Sequence, residues 1–496
     1  MTVVREIERT YELSAGDVVP SLVGGAVLDV GPTVTRSLVT AYLDTADLAL
    51  ARHGVSLRRR LGGDDDGWHL KVPVATDTRT ELQRPPGRSR RVPAAMARLV
   101  TGLTAGAPLV PVADLRTTRT TMHLLGADGV VLAVVCDDTV VVDLPGDEPP
   151  EGWRELEVEL VDGDLAVLDE VEATLARAGV ARSTASSKIR RALGLDGDPA
   201  GPTSGLRRRS AGAHLHTYLS EHRDALVAAD LAHRVAGASV HDLRVASRRL
   251  RAALTVYRPL LEDSRARHLQ AELRWIGQEL SDLRDVEVSR ASVADALDSE
   301  ADDLATGPAR GLAREHLDLA EERARRRARL ALDSTRYTAL LAGLAALLDE
   351  PPWTGRASRR ARDELPRLCR KPRRRLRRAV RDAEGLPLGT EHEAALHHVR
   401  KSAKRLRYAL EVLVAAEPGV RRVARRCRTL QTVLGDHLDA RRAARWLRHL
   451  GHAGGTDAAF VLGRLHARHE VDATAYEPGY RRAARRLLTD RRLTRL

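Results

Sequence analysis

The sequence predicts an α+β protein in two parts, a β-rich barrel or tunnel followed by an all-helical double bundle. Three observations carry this. Residues 1–195 alternate apolar and polar positions with a period of two and are rich in Thr and Val, the pattern of half-buried strands. From residue 212 onward the apolar spacing is helical almost throughout. The stretch VHDLRVASRRLRAALTV (240–256) then recurs as LHHVRKSAKRLRYALEV (396–412), so the helical part is one unit built twice.

The expected strands are 3–13, 36–43, 55–61, 68–74, 78–83, 115–125, 130–137, 139–144 and 153–161, with one helix over 165–178. The segment 196–211, rich in Gly, Pro and Ser, reads as a linker between a domain at 1–195 and one at 212–490. Expected helices follow at 212–230, 239–258, 262–281, 285–297, 309–331, 335–348, 356–384, 391–415, 418–434, 437–450, 456–468 and 475–487, broken at Gly, Pro or Asp clusters. LSDLRD (280–285) returns loosely as LGDHLD (434–439), which extends the repeat to about 212–330 and 335–490.

Charge separates the same two parts. Residues 1–200 hold 22 Lys+Arg against 30 Asp+Glu, whereas residues 201–496 hold 59 against 38. A basic half points to a polyanionic partner. Only five of the 81 basic residues are lysines; arginine forks bind phosphate oxygens bidentately and stay charged. With one Phe in the chain, base stacking is poorly supported, and specific nucleic-acid binding is not expected. Three scattered cysteines make neither a disulfide framework nor a zinc site. No apolar run reaches eighteen residues and no signal-peptide pattern opens the chain, so a cytoplasmic protein without membrane insertion is expected.

On a helix, His241, Arg244, Arg248 and Arg251 fall within about 80° of arc, beside an apolar stripe of Leu243, Ala246, Leu250, Ala253 and Leu254. The repeat supplies His397, Arg400, Lys404 and Arg407 at the same spacing. A lone basic helix face is ordinarily just solvated. Two matched rows facing each other across a cleft would repel unless an anion lay between them. Arg249 and Arg405 lie off this arc, available for ion pairs between helices, and Asp285 and Asp439 sit at matched positions suited to orienting an arginine. RKPRRRLRR (370–378) has no repeat counterpart and reads as peripheral. The two histidines make a poor transition-metal set. The motif HDLRVASRRLR with its partner HHVRKSAKRLRY resembles the CHAD domain, the conserved histidine α-helical domain, over roughly 206–490. That resemblance implies a double helical bundle whose basic channel binds inorganic polyphosphate and is found with polyphosphate granules.

In the strands, charged residues share parity and hence a face: Glu6, Glu8 and Thr10; Arg58 and Arg60; His69 and Lys71; Arg79 and Glu81; Glu155, Glu157 and Glu159. An antiparallel sheet with one wet face explains this too. Closing the sheet into a barrel, however, brings Glu6, Glu8, Glu157 and Glu159 together, and clustered carboxylates call for a cation, Mg²⁺ or Mn²⁺ for oxygen ligands. Facing Arg and Lys would hold the phosphates of a substrate, an arrangement suited to hydrolysing a phosphoanhydride. The ordered set Glu-x-Glu, LRRR (57–60), Lys71, Arg79-x-Glu81, LRTTR (115–119), Asp137–Asp138, ELEVEL (155–160) and SSKIRRAL (186–193) resembles the CYTH family, the triphosphate tunnel metalloenzymes, over about 1–195. It implies an eight-stranded antiparallel tunnel that hydrolyses tripolyphosphate with Mg²⁺ or Mn²⁺. Glu6, Glu8, Arg58, Arg60 and Lys71 are then the expected catalytic set. The metal side falls to Glu6, Glu8, Glu157 and Glu159, and substrate binding to Arg79, Arg119 and Lys188. Parity admits only one of Arg116 and Arg119 to the interior.

One departure matters. The family signature is ExExK, and this chain reads Glu6-Ile7-Glu8-Arg9-Thr10. Thr10 stands where the lysine belongs, and Arg9 has the wrong parity unless a bulge turns it inward. The expected function is a polyphosphate-binding protein with inorganic triphosphatase activity in the tunnel. The alternative, which Thr10 favours, is a non-catalytic, granule-associated polyphosphate binder with a degenerate tunnel.

Overall fold

The computed structural model describes residues 1–144, 151–196, 205–300, 304, 306–387 and 389–495. The chain divides into two compact units, Met1–Gly201 and Pro202–Leu496.

Among its described residues the first unit has nine strands: β1 Thr2–Leu13, β2 Asp29–Val30, β3 Val34–Asp44, β4 Ser56–Leu61, β5 Gly67–Ala75, β6 Thr78–Arg84, β7 Val110–Leu125, β8 Val131–Asp143 and β9 Gly152–Leu160. Their order is β2-β7-β3-β4-β5-β6-β1-β9-β8, and β8 pairs back to β7. Eight strands therefore close an antiparallel barrel without a free edge, and β2 adds two residues to β7. The barrel is apolar outside where it is covered. Tyr11, Leu13, Val135, Leu156 and Val158 pack against Val167, Leu168, Val171 and Leu175 of the helix Leu165–Arg177, which Asp164 caps by accepting from the Ala166 N–H. The opposite parity of the same strands points the charges inward.

The expected strands 130–137 and 139–144 are one strand, β8. Arg119 takes Asp138 on the inner face and Arg154 takes Asp137 on the other, so the ladder continues through both. Gly62 and Gly67 flank the β4–β5 hairpin with positive φ, and a Cβ at either would run into the carbonyl of Ser37 or Arg84.

The second unit is helical. Its helices are Ala211–Ala236, His241–Val256, Asp263–Glu279, Ser281–Asp298, Thr306–Leu332, Thr335–Asp349, Ala361–Glu384, Thr390–Val414, Arg421–Ala453, Thr456–Thr474, Glu477–Leu488 and Arg491–Arg495. The expected stripe of Leu243, Ala246, Leu250, Ala253 and Leu254 is buried, each leucine contributing about 1.5–3 kcal/mol. The repeated helices His241–Val256 and Thr390–Val414 pack on each other, and Tyr257 OH donates to the Ala409 carbonyl at 2.6 Å between the halves.

Three expectations need correction. The helices expected at 418–434 and 437–450 form one helix, Arg421–Ala453, because the Gly-Asp in LGDHLD lies mid-helix; its counterpart in the first half does break, at Leu280. Helix Thr335–Asp349 packs on Ala211–Ala236 and Asp263–Glu279, so it joins the first half, and the second opens at Ala361. Of the expected linker 196–211, residues 197–204 lie outside the described residues. Its end is tied down: Ser210 caps the first helix by accepting from the Ala213 N–H at 3.2 Å, and the Ala211 N–H donates to the Arg359 carbonyl at 2.8 Å.

Candidate active site and anion-binding cleft

Alternation along each barrel strand delivers one charged side chain per two residues to the interior. Glu6, Glu8, Arg58, Arg60, Lys71, Glu81, Arg119, Glu157 and Glu159 line one cavity of about 170 Å³. Every buried charge here is matched. Lys71 Nζ lies 2.7 Å from Glu6 and 3.4 Å from Glu8, and Arg79 Nε lies 3.1 Å from the other Glu8 oxygen. Arg58 meets Glu81 at 3.3 Å and Arg60 meets Asp65 at 2.8 Å. Arg119 grips Asp138 with two hydrogen bonds of 2.7 and 2.6 Å and reaches Glu157 at 2.7 Å. Arg119 is thus the inward member of its pair, and Arg116 is exposed.

Lys188 enters from the closing segment. Ser187 caps the short helix Lys188–Ala192, and Arg190 fastens it by donating to the Ala51 carbonyl at 2.8 Å. The ammonium then sits 3.0 Å from Asp138 and 2.5 Å from both Glu155 and Glu157. Asp138, Glu155 and Glu157 are the carboxylates that approach within 4.8 Å of one another among the described residues. Of these, only Glu157 belonged to the expected metal quartet. Thr10 pairs with Glu157 across β1 and β9 and lines a second cavity beside Lys71 and Lys188. Arg9 does not turn inward: it is held outside by Asp77, Asp169 and Glu172.

Charge balance governs the protonation states. Burial pushes the Glu6 carboxyl up to about 8 against the pull of Lys71, and burial also raises Glu159. Burial works to raise Glu157 too, but Lys188, Arg119 and Lys71 hold it well below the usual range. Burial acts to lower Lys71 and Lys188, yet their acidic neighbours raise both above the ordinary lysine value. The fit of a metal rests on Glu6, Glu8, Glu157 and Glu159. All four face the same cavity and offer oxygen, but Lys71 Nζ lies 2.7 Å from Glu6 Oε2, and the carboxylates close enough to share one ion among the described residues are Asp138, Glu155 and Glu157. Oxygen ligands of this kind suit a hard divalent cation.

The helical unit carries the second cluster. Arg244 and Arg248 on one repeated helix lie within electrostatic reach of Lys404 on the other, and Arg248 also of Arg400, whereas the charged neighbours of His241 and Arg251 lie outside the opposite row His397, Arg400, Lys404 and Arg407. Burial depresses Arg244, Arg251, Arg400 and both histidines, and neighbouring cations add to it. Burial, then Arg400, Arg248 and Arg407, bring Lys404 down to about 7. Arg244 donates through Nη1 to the Leu280 carbonyl at 2.9 Å. Arg407 differs from the rest of its row: it meets Glu411 at 3.3 Å and stacks on Tyr408. Arg249 shares that glutamate at 3.3 Å.

Asp285 and Asp439 do share an arginine, Arg442, at 3.4 and 3.6 Å. Arg442 was invisible to the repeat because its counterpart, Val288, is not basic. The run 370–378 partly serves structure, since Arg373 donates to the Leu493 and Thr494 carbonyls. In the tunnel, the roles of Glu81, Glu155 and Asp138 were missed as ion-pair partners, although parity with Arg79, Glu157 and Arg119 marked their faces.

A family model for the CYTH domain matches residues 5–193, and one for the CHAD domain matches 217–448. The chain is 36% identical over 466 residues to an uncharacterized protein of Mycobacterium tuberculosis H37Rv, spanning 88% of this chain and 86% of the relative. A second M. tuberculosis strain, CDC 1551, has an uncharacterized protein 36% identical over 470 residues with the same coverage. Among solved structures, PptA from Streptomyces chartreusis aligns over 55% of this chain and 99% of its own at 25% identity with a TM-score of 0.48. The CHAD domain from the plant Ricinus communis aligns over 57% and 97% at 23% identity with a TM-score of 0.42. No helix among the described residues is long and apolar enough to cross a membrane. The two matched domains support a general polyphosphate-related role, and the metal dependence of the CYTH family accords with the acidic cluster. By sequence and by architecture, the chain belongs to the family of two-domain CYTH–CHAD proteins.

Proposed function

We propose that this protein binds inorganic polyphosphate in the cleft between its repeated helices and hydrolyses tripolyphosphate or short polyphosphate in its barrel. The observation that supports the hydrolase reading most is the interleaving of acids and bases around one closed cavity. Arg58, Arg60, Arg79, Arg119 and Lys71 are placed to bind phosphate oxygens. Their fixed forks orient the chain and stabilise charge that builds on it. Glu6, Glu8, Glu157 and Glu159 would hold Mg²⁺ or Mn²⁺, which when bound polarises a phosphoryl oxygen. Water attacks the terminal phosphorus, the P–O–P bond breaks, and orthophosphate leaves with the shortened chain. Lys188, released from its carboxylates by a bound anion, offers the cation that Thr10 does not.

Thr10 itself favours a second reading, binding without turnover. Phosphate release from tripolyphosphate by the full chain with Mg²⁺ or Mn²⁺ separates the two: release above blank supports the hydrolase, and none supports the silent tunnel. For the cleft, long polyphosphate is expected to displace DNA at far lower phosphate concentration than DNA displaces polyphosphate. Equal competition would reduce the arginines to a nonspecific field.

A further inference from the structure

Barrel strands bring their acids to the interior by parity, but one carboxylate in the charged cavity comes from elsewhere. Asp65 lies in the β4–β5 hairpin, between the strand ends Leu61 and Gly67, and still lines the cavity with Arg58, Arg60 and Arg119. Arg60 Nη1 donates to its Oδ2 at 2.8 Å. The neighbouring Asp64 pairs with Arg36, which has the inner parity of β3 and stands opposite Arg119 of β7. One turn thus lays two carboxylates on two arginines at this end of the barrel. The other end is filled by apolar packing, with Ile189 beside Tyr42, Leu115, Val140 and Val142.

The hairpin acid is held in place from below. His69 is buried and shares the inner face of β5 with Lys71. Its Nε2 lies 2.7 Å from the Asp65 carbonyl, and its Nδ1 lies 3.1 Å from the Glu81 carboxylate, which also meets Arg58 at 3.3 Å. With both ring nitrogens engaged, the imidazole cannot turn without breaking a contact. It pins the hairpin backbone at the residue whose side chain grips Arg60. Burial acts to raise the Asp65 carboxyl, yet Arg60, His69 and Arg58 hold it below its ordinary value, so the acid stays ionised among the arginines. A fixed carboxylate repels a phosphate that runs on past Arg60, and specificity can rest on such a repulsive contact.

We infer that Asp65 is a chain-length stop: it holds the anion position on Arg60 at the hairpin end, so the barrel accepts a short polyphosphate and rejects a chain that continues through that end. His69 is the positioning residue of the stop. This rests on the hydrolase reading above and deepens it by naming what limits the substrate.

The test measures phosphate release with Mg²⁺ or Mn²⁺ by full-length wild type, Asp65→Asn and His69→Gln, from tripolyphosphate and from long-chain polyphosphate. The quantity read is kcat/KM for the long chain divided by kcat/KM for tripolyphosphate. The helical unit is unchanged in all three proteins, so chain that it holds cancels in the comparison. Asp65→Asn keeps the size of the side chain and removes its charge, and the ratio is expected to rise about tenfold. His69→Gln keeps the acid but loosens its anchor, and is expected to raise the ratio by less. A ratio that Asp65→Asn leaves unmoved, even with both rates lowered, would overturn the stop and leave Asp65 a support for Arg60. A wild-type ratio in His69→Gln would overturn the positioning role. If wild type releases no phosphate from either substrate, the hydrolase reading fails and the stop with it, whereas release with an unmoved ratio fails the stop alone.

Discussion

The two charged regions use the same residues in opposite ways. In the barrel, cations and carboxylates alternate within contact distance: Lys188 touches three acids and Arg119 two. In the helical cleft, cations neighbour cations, and Arg400, Arg248, Arg407 and Arg244 all act on Lys404. A lysine in the first setting is driven above its ordinary value, and one in the second falls to about 7. The barrel is organised for chemistry at short range, with most of its charges positioned by a partner. The cleft holds an excess of cations over the acids Asp285 and Asp439, suited to holding a long anion.

If that contrast is real, the two activities separate by mutation. The largest effect is expected from Glu157→Ala, which removes a proposed metal ligand and a partner of Lys188 and Arg119. Tripolyphosphate hydrolysis should fall at least ~100-fold, with long-chain polyphosphate still bound. Loss of both together would show that the regions are not independent. Chelation with EDTA should stop phosphate release equally, and Mg²⁺ or Mn²⁺ should restore it.

Next in size, Arg248→Ala removes the cation that acts on both Arg400 and Lys404. Long-chain polyphosphate binding should weaken about tenfold with a shallower salt dependence, and the Tm of the free protein should hold or rise because repulsion is relieved. A fall in Tm with unchanged binding would mark Arg248 as structural.

The smallest effect concerns pH. Lys404 titrates near 7 in the folded protein against an ordinary 10.5. Between those values the unfolded chain binds more protons, so the term favours folding increasingly as pH rises from about 7 to about 10.5, and its penalty is fully present below 7. Lys404→Met should therefore gain most in Tm over wild type near pH 6, with the gap closing toward pH 10.5. An anion in the cleft reverses the shift, so polyphosphate binding near pH 8 should take up protons. Calorimetry in buffers of different ionisation enthalpy reads this uptake, which Lys404→Arg should reduce.

How much of this was legible in the sequence depended on whether a signal was local. Strand parity put Glu6 with Glu8 and Arg58 with Arg60 on shared faces, and these with Lys71 line one cavity because a period of two leaves one interior; between Arg116 and Arg119 parity alone did not choose. The repeat located the facing helices for a similar reason. Partner choice was not legible. Nothing in SSKIRRAL announces that Lys188 lands on Asp138, Glu155 and Glu157, since those contacts join segments far apart in the chain. Arg442 lies outside the repeated positions, and nothing local shows that Asp137 and Asp138 meet arginines on opposite faces of one continuous strand.

The central claim, that the barrel is a working tunnel lacking one cation, is tested most directly by phosphate release from tripolyphosphate with Mg²⁺ or Mn²⁺, measured for wild type beside Thr10→Lys. Thr10 faces the cavity between Lys71 and Lys188, so the new ammonium enters where charge develops. The account predicts measurable release by wild type and a rate about tenfold or more higher for Thr10→Lys. No release above blank from either protein would contradict it.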